Sequence, residues 1–395
     1  MGFDTGPMAP EPKLLLEIIK GRRPFCFQHV DFETWGRLVD FHSVAPLIFM
    51  GLQDQAENIP GNIYENLKTQ YWTTLYRNRK FWNAFLIMHE AFRQKNVPIL
   101  PLKGVDSLAR SYPALDLRSM SDIDILIREE DFEEVEKIFC SLGYTKNLEG
   151  LHQEYWRKHQ CHIVFCKDDI KVDAHWSLDF KRKRRVLLPH LWERARTIHA
   201  GNHTLSIFSP EDALFSYALH WRRFGNILTL KQVLDVARLI QGPPEMDWDY
   251  ILKECRRGKM KATICFILMQ ASLFCGAEVP EDFLKKLKVP LWRKVLMKKF
   301  LLKHTFEPGA SFKTNYLKAH FLLYDNILEP ISYVIHIPYE QFCKFYRLKP
   351  YTRNADLRYR LRIPYSVFSL FSKMFFKKEF GQDPTAAKSS FKTRP

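Results

Sequence analysis

Apolar residues recur along this chain with two periods, and the change of period divides it. From Lys13 to about Gln94 the spacing is helical. Leu14, Leu15, Ile18 and Ile19 share one helix face, and Trp72, Leu75, Phe81, Phe85 and Met88 share another. These helices are expected to form a bundle that leans on a sheet, with most of their aromatic residues in its core. At Ile99 the pattern shortens. Ile99 to Leu102 reads as a strand, Lys103-Gly104 as a turn, and Ser107 to Arg110 as a short helix. The run Ser121 to Ile127 then reads as a second strand. Alternation puts Asp122, Asp124 and Leu126 on one face of that strand and Ile123, Ile125 and Ile127 on the other.

The mixed pattern continues. Arg128-Glu129-Glu130-Asp131 opens a helix whose apolar face is Phe132, Val135, Ile138, Phe139 and Leu142, and Gly143 closes it. After a short extended segment or loop from Tyr144 to Leu151, a hairpin is predicted. Its strands are His162 to Cys166 and Ile170 to His175, joined by Lys167-Asp168-Asp169. In the returning strand Lys171, Asp173 and His175 share a face. From Ser209 the helical period returns, with Ser209 as cap, Pro210 at the first position and acid in the first turn. That helix runs to Phe224 with Leu214, Tyr217, Ala218 and Trp221 on one side, and His220 and Arg222 are placed to reach a cleft. A second amphipathic stretch, Leu228 to Ile240, sets Lys231 and Asp235 one turn apart as an expected ion pair. The class is α+β, a small mixed sheet flanked by N-terminal helices and a larger C-terminal helical region. Boundaries are expected at 1–97, 98–185 and 186–380, with a disordered tail at 381–395.

Two aspartates two positions apart are poor strand formers and repel each other unless a cation sits between them. Mg²⁺ is the usual cation, with Mn²⁺ an alternative, because both take oxygen donors and share them with substrate phosphates. The plain alternative puts both carboxylates on a solvated sheet edge. Without metal, replacing Asp122 or Asp124 by Asn is expected to relieve repulsion and leave stability unchanged or higher. The preceding Lys103-Gly104 turn suits phosphate: glycine lets backbone N–H groups approach, and the lysine supplies a charge. Taken alone, the turn is also consistent with a solvated lysine. Asp173 is either a third ligand or a surface strand residue, and His175 and Trp176 are read first as packing or orienting groups. His159, Cys161, His162 and Cys166 suggest zinc, but Cys161 and Cys166 fall on opposite faces of one strand and no second ligand pair follows. The eight cysteines form no compact framework and are read as reduced core thiols.

The order LKG, LAR-x-Y, LR-x-x-SDIDILI and VDAHW resembles the nucleotidyltransferase superfamily of the DNA polymerase beta type. Within it the chain is similar to a poorly characterised bacterial family that carries LKG in place of the common Gly-Ser motif. The resemblance covers roughly Pro98 to Phe180. It implies catalytic and metal-binding roles for Asp122, Asp124 and Asp173. It also implies nucleotide contacts from Lys103, Gly104, Arg118 and Ser121, and a helical region that closes over the nucleotide. The turn lies farther from the D-x-D pair than in most relatives. The implied substrate is an NTP, ATP foremost, whose nucleoside monophosphate passes to an unidentified acceptor, a small molecule or protein rather than nucleic acid. The competing reading is a non-catalytic nucleotide- or RNA-binding protein on the same fold.

Composition narrows the class. The chain has 395 residues, 46% hydrophobic and 26% charged, which excludes a disordered chain and allows sizeable cores. Its net charge of +16 suits an anionic partner without naming one. The basic run Lys181 to Arg185 is either a solvated loop or a lip that attracts triphosphate or RNA. Residues 365–378, rich in Phe and ending in lysines, are read as a terminal helix on the bundle, with contact to an anionic membrane surface as the alternative. The N-terminus lacks the apolar core of a secretion signal, and the run Ile264 to Cys275 is too short to span a bilayer. A cytoplasmic location is expected.

Overall fold

The computed structural model describes residues 6–148, 156–179, 188–201, 203–224, 229–307, 312–330 and 335–365, with 158, 189 and 327 excepted. The basic run Lys181 to Arg185, residues 366–378 and the tail from Gly381 lie outside them. The chain divides into two compact units, residues 1–333 and 334–395.

In the first unit, three short helices come first: α1 (Pro10–Ile19), α2 (Phe32–His42) and α3 (Ala45–Gly51). The 34-residue α4 (Gly61–Gln94) follows and buries Leu67, Thr74, Asn78, Phe81, Phe85, Met88 and Phe92 along one stripe. Trp72 and Tyr76, exposed at 56% and 76%, are exceptions to the expectation that most aromatics here are core. At 100° per residue, Trp72 lies about 200° from Thr74, on the opposite side of the helix.

The five-stranded sheet has the order β1-β2-β5-β4-β3, built from β1 (Ile99–Leu102), β2 (Ile123–Ile127), β3 (Thr145–Asn147), β4 (His162–Lys167) and β5 (Ile170–His175). Only β2 and β5 are parallel neighbours; the other pairings are antiparallel. The predicted α+β class therefore holds. Pro101 is tolerated in β1 because that strand is an edge, where a missing N–H costs no ladder bond. Ile123, Ile125 and Ile127 pack with Phe85, Met88 and Phe92 of α4 and with Val135, Ile138 and Phe139 of α6 (Phe132–Ser141). A one-residue slip of β2 would swap these isoleucines, each worth about 1.5–3 kcal/mol of burial, for carboxylates. Leu100, Leu102 and Leu126 on the other face join a second core with the later helices.

The predicted hairpin is present, with Asp168 at positive φ in its turn. A further hairpin, β6 (Arg196–Ala200) with β7 (His203–Ile207), forms a separate two-stranded sheet. Buried Leu205 and Ile207 alternate there with exposed Thr204 and Ser206, a period-two signal that the sequence reading passes over. Helix α7 (Pro210–Phe224) starts where predicted, and the Ser209 hydroxyl accepts a bond from the Asp212 N–H at 3.2 Å. Next come α8 (Leu230–Gln241), α9 (Trp248–Gly258), α10 (Lys261–Cys275), α11 (Glu281–Lys286), α12 (Leu291–His304) and α13 (Phe312–Leu323). Helix α10 is the centre of the helical core, with all but three of its fifteen residues buried. In the second unit, α14 (Tyr339–Tyr346) and α15 (Arg353–Arg360) enclose Phe342, Cys343 and Ala355.

All eight cysteines are free. Cys26 and Cys140 are exposed and so are not the core thiols expected of them. Among the described residues no helix is long and apolar enough to cross a membrane.

Candidate active site

The site begins with register. Asp124 of β2 and Asp173 of β5 are paired residues on adjacent parallel strands, and both are buried. Strand alternation turns both away from the apolar face that carries the isoleucines. Two positions further along β5, His175 brings its Nε2 to 3.0 Å from Asp124 Oδ1. Asp124, Asp173 and His175 each offer a ligand atom, all within 4.8 Å of one another. Two carboxylates and an imidazole are a donor set that fits a divalent cation. Asp122 is not in that group. It lies just before β2, accepts a 3.0 Å bond from the Ser121 hydroxyl, and lines the same pocket as Asp124.

A second group, Cys161, His162 and His175, also gathers its ligand atoms within 4.8 Å. His162 stacks on His175 with ring centroids 4.9 Å apart and stands 4.0 Å from Asp173. Cys166 is not in this group; its third member, His175, arrives from the neighbouring strand, which the spacing of the cysteines does not reveal.

Lys103 reaches Asp124 from the edge strand. Leu102 pairs with Asp124 across the ladder, and the chain turns into α5 (Lys103–Ser111) at the next residue. Lys103 takes φ +48°, an uncommon conformation for a residue with a Cβ and a sign of local strain at this junction. Its Nζ lies 2.5 Å from Asp124 Oδ1. Gly104 is not the positive-φ residue of this turn. A Cβ there would meet Arg118 Nη1 at 2.8 Å and Met120 Cγ at 3.0 Å, so it is close approach that requires glycine.

Charge sorts the three aspartates. Burial works against Asp124, yet Lys103 and His175 outweigh it and hold its carboxyl well below the usual carboxylate range. Burial and the Asp124 charge push Asp173 up to about 6, against the pull of Lys171 Nζ, 3.0 Å away. Burial and the Asp124 charge also raise Asp122. Carboxylates driven apart in acidity on one small surface are a feature of sites that move protons or hold cations.

The helical part of the pocket lining comes from α7 and α8, through Tyr217, His220, Trp221, Lys231, Gln232 and Asp235. Arg118 lines it too, but its guanidinium is buried and engaged by Asp235 in a fork, Nε–Oδ1 at 2.7 Å and Nη2–Oδ2 at 2.6 Å. Tyr112 donates to the same carboxylate at 3.1 Å. The expected Lys231–Asp235 ion pair is therefore absent: a bidentate partner from another element displaces a helix-surface neighbour. Arg222 also departs from expectation. It is buried on Asp179 at 2.7 Å and is not a wall of the pocket, whereas His220 is.

Asn78 holds this wall in place. It is fully buried in α4, donates to Arg118 O at 2.6 Å and to Leu115 O, and accepts from Met120 N–H at 3.2 Å. The sequence signal was an amide, with Thr74 one turn before it, on a helix stripe that is apolar from Phe81 onward. Tyr217 hydrogen-bonds Ser107 and so ties α7 to α5.

No curated protein matches the chain. The solution structure of the antibiotic-resistance factor ANT(2'')-Ia aligns with 44% of this chain and 84% of its own, at 16% identity and a TM-score of 0.31. Residues 28–276 match a family described as uncharacterised nucleotidyltransferase. That span takes in the sheet, the pocket and both helices of its lining, well over half the chain, and this protein belongs to that nucleotidyltransferase family.

Proposed function

We propose that this protein is a divalent-metal-dependent nucleotidyltransferase of the DNA polymerase beta type. It takes an NTP, ATP first among them, and passes the nucleoside monophosphate to an acceptor other than nucleic acid. The observation that carries the reading is the pairing of Asp124 with Asp173 on parallel strands, beside a pocket with lysines on two walls. Asp124, Asp173 and His175 are the residues to hold the cation, Mg²⁺ or Mn²⁺, with Asp122 at the pocket's edge able to join them. Bound there, the cation neutralises phosphate oxygens and lowers the pKa of an acceptor hydroxyl.

The chain's own groups do the rest. The acceptor nucleophile attacks the α-phosphorus in line, and pyrophosphate leaves with the electrons of the broken P–O bond. Asp173 would help the cation activate the acceptor by holding it beside the attacking oxygen, and the acceptor proton leaves to solvent. With a cation on Asp124, the Lys103 ammonium now held by that carboxylate would be available to the phosphates. Ser121 and the Gly104 backbone complete the near wall, and Arg118 shapes it while held by Asp235. The test is incubation of the full chain with each labelled NTP, Mg²⁺ or Mn²⁺, and cell extract as acceptor source. Labelled product and pyrophosphate are expected from the wild type, and neither from Asp124→Asn or Asp173→Asn. Product formation that persists in both variants would overturn the assignment.

A further inference from the structure

We propose that Lys231 anchors the outer phosphates of the nucleotide, a role that rests on the nucleotidyl-transfer reading of this pocket. Three lysine or arginine side chains line it: Lys103, Arg118 and Lys231. Lys103 is on Asp124 and Arg118 is on Asp235. Among the described residues, Lys231 has neither a hydrogen-bond nor an ion-pair partner, because Asp235, one turn along its own helix, is taken by Arg118 and Tyr112. Lys231 is the second residue of α8 and is only partly exposed.

A desolvated ammonium without a counterion is costly, and proteins that keep one at a pocket wall supply the counter-charge from a ligand. Burial and the neighbouring Arg118 guanidinium, only partly offset by the more distant Asp235 and Asp122 carboxylates, push Lys231 down to about 8, so it still carries its charge at neutral pH. The missing counter-charge is anionic. Asp122 and Asp124 exclude a bare anion from the sheet side, where the cation-bridged reacting phosphate belongs. The remaining phosphates would extend away from that side, toward the part of the lining that α8 supplies. An ammonium is a point charge suited to phosphate oxygens without fixed geometry. The ligand class is therefore a polyphosphate tail, bound end-on by the helical region.

The experiment is titration calorimetry on the full chain with Mg²⁺ and three probes: ATP, AMP and inorganic tripolyphosphate. Lys231→Gln should weaken ATP and tripolyphosphate by roughly tenfold to a hundredfold, the range for a lost charged hydrogen bond, and leave AMP within about twofold. Lys231→Arg should keep most of the affinity. A second measurement needs no variant. Amine-reactive labelling of the wild type, read by mass spectrometry at Lys231, should be blocked by ATP and by tripolyphosphate but not by AMP. Wild-type binding of ATP with unchanged affinity in Lys231→Gln, or labelling of Lys231 that ATP does not slow, would overturn the anchor and leave nucleotidyl transfer standing. A wild type that binds neither ATP nor tripolyphosphate would remove both.

Discussion

Lys103 and Asp124 form an ion pair across the junction of the edge strand β1 and its neighbour β2, with the carboxylate almost wholly buried and the ammonium about one-fifth exposed. Asp124 also meets His175 on its other side. One carboxylate thus holds two basic groups at the floor of the pocket. The first consequence is a correction about stability. Asp122 and Asp124 are not equivalent, although sequence alone treats them as a matched repelling pair.

Asp124→Asn should destabilise the metal-free protein, by up to about 3 kcal/mol, because it strands Lys103 beside a neutral amide. Asp122→Asn removes a carboxylate that, among the described residues, is hydrogen-bonded by the exposed Ser121 alone and that repels Asp124. Its stability should stay within about 1 kcal/mol of wild type, or rise. Urea unfolding in the presence of a chelator separates the two. Equal midpoints for both variants would refute the asymmetry.

Asp173 makes stability depend on pH. Its folded pKa of about 6 lies above the ordinary value of 3.8, so the native state binds the extra proton between these limits. That contribution is complete below about pH 4 and is lost as pH rises through 6, at a cost of roughly 2–3 kcal/mol. The melting temperature without metal should therefore fall over this window relative to Asp173→Asn, in which the slope vanishes. Cation binding should strengthen over the same window, since proton and cation compete for one carboxylate.

Arg118→Ala should cost roughly 3–5 kcal/mol, as it leaves Asp235 buried without its fork. Arg118→Lys should recover only part, since one ammonium cannot replace two parallel N–H bonds. Denaturant midpoints measure both. If Arg118→Ala melts like wild type and only nucleotide affinity falls, the fork is dispensable and Arg118 is a ligand contact.

Gly104→Ala tests close packing against helix propensity. Alanine gains about 1 kcal/mol in a helix, but its Cβ would sit 2.8 Å from Arg118 Nη1. That group cannot swing away while Asp235 grips it, so the net effect should be a loss of about 1–2 kcal/mol. In an Asp235→Asn background, where the fork is loosened, the penalty should shrink. Additive losses in the double variant would disprove the coupling.

Much of the fold follows from local pattern. The parity of Ile123, Ile125 and Ile127 against Asp124 is a property of any extended chain, and the Ser209-Pro210 start of α7 needs only its own neighbours. The hairpin turn at Asp168 and Asp169 is equally local. These features were legible because the forces behind them act within a few residues. What tertiary structure decided is which distant group meets which charge. Asp124 and Asp173 are 49 residues apart and become neighbours only because β5 lies parallel beside β2. Asp235 had a partner one turn away and took another 117 residues distant, since a bidentate guanidinium fork outcompetes a single ammonium. That choice left Lys231 unpaired at the pocket wall. No periodicity in a sequence encodes such selection, because the energy of a charge pair depends on burial and geometry that exist only once the chain has closed around it.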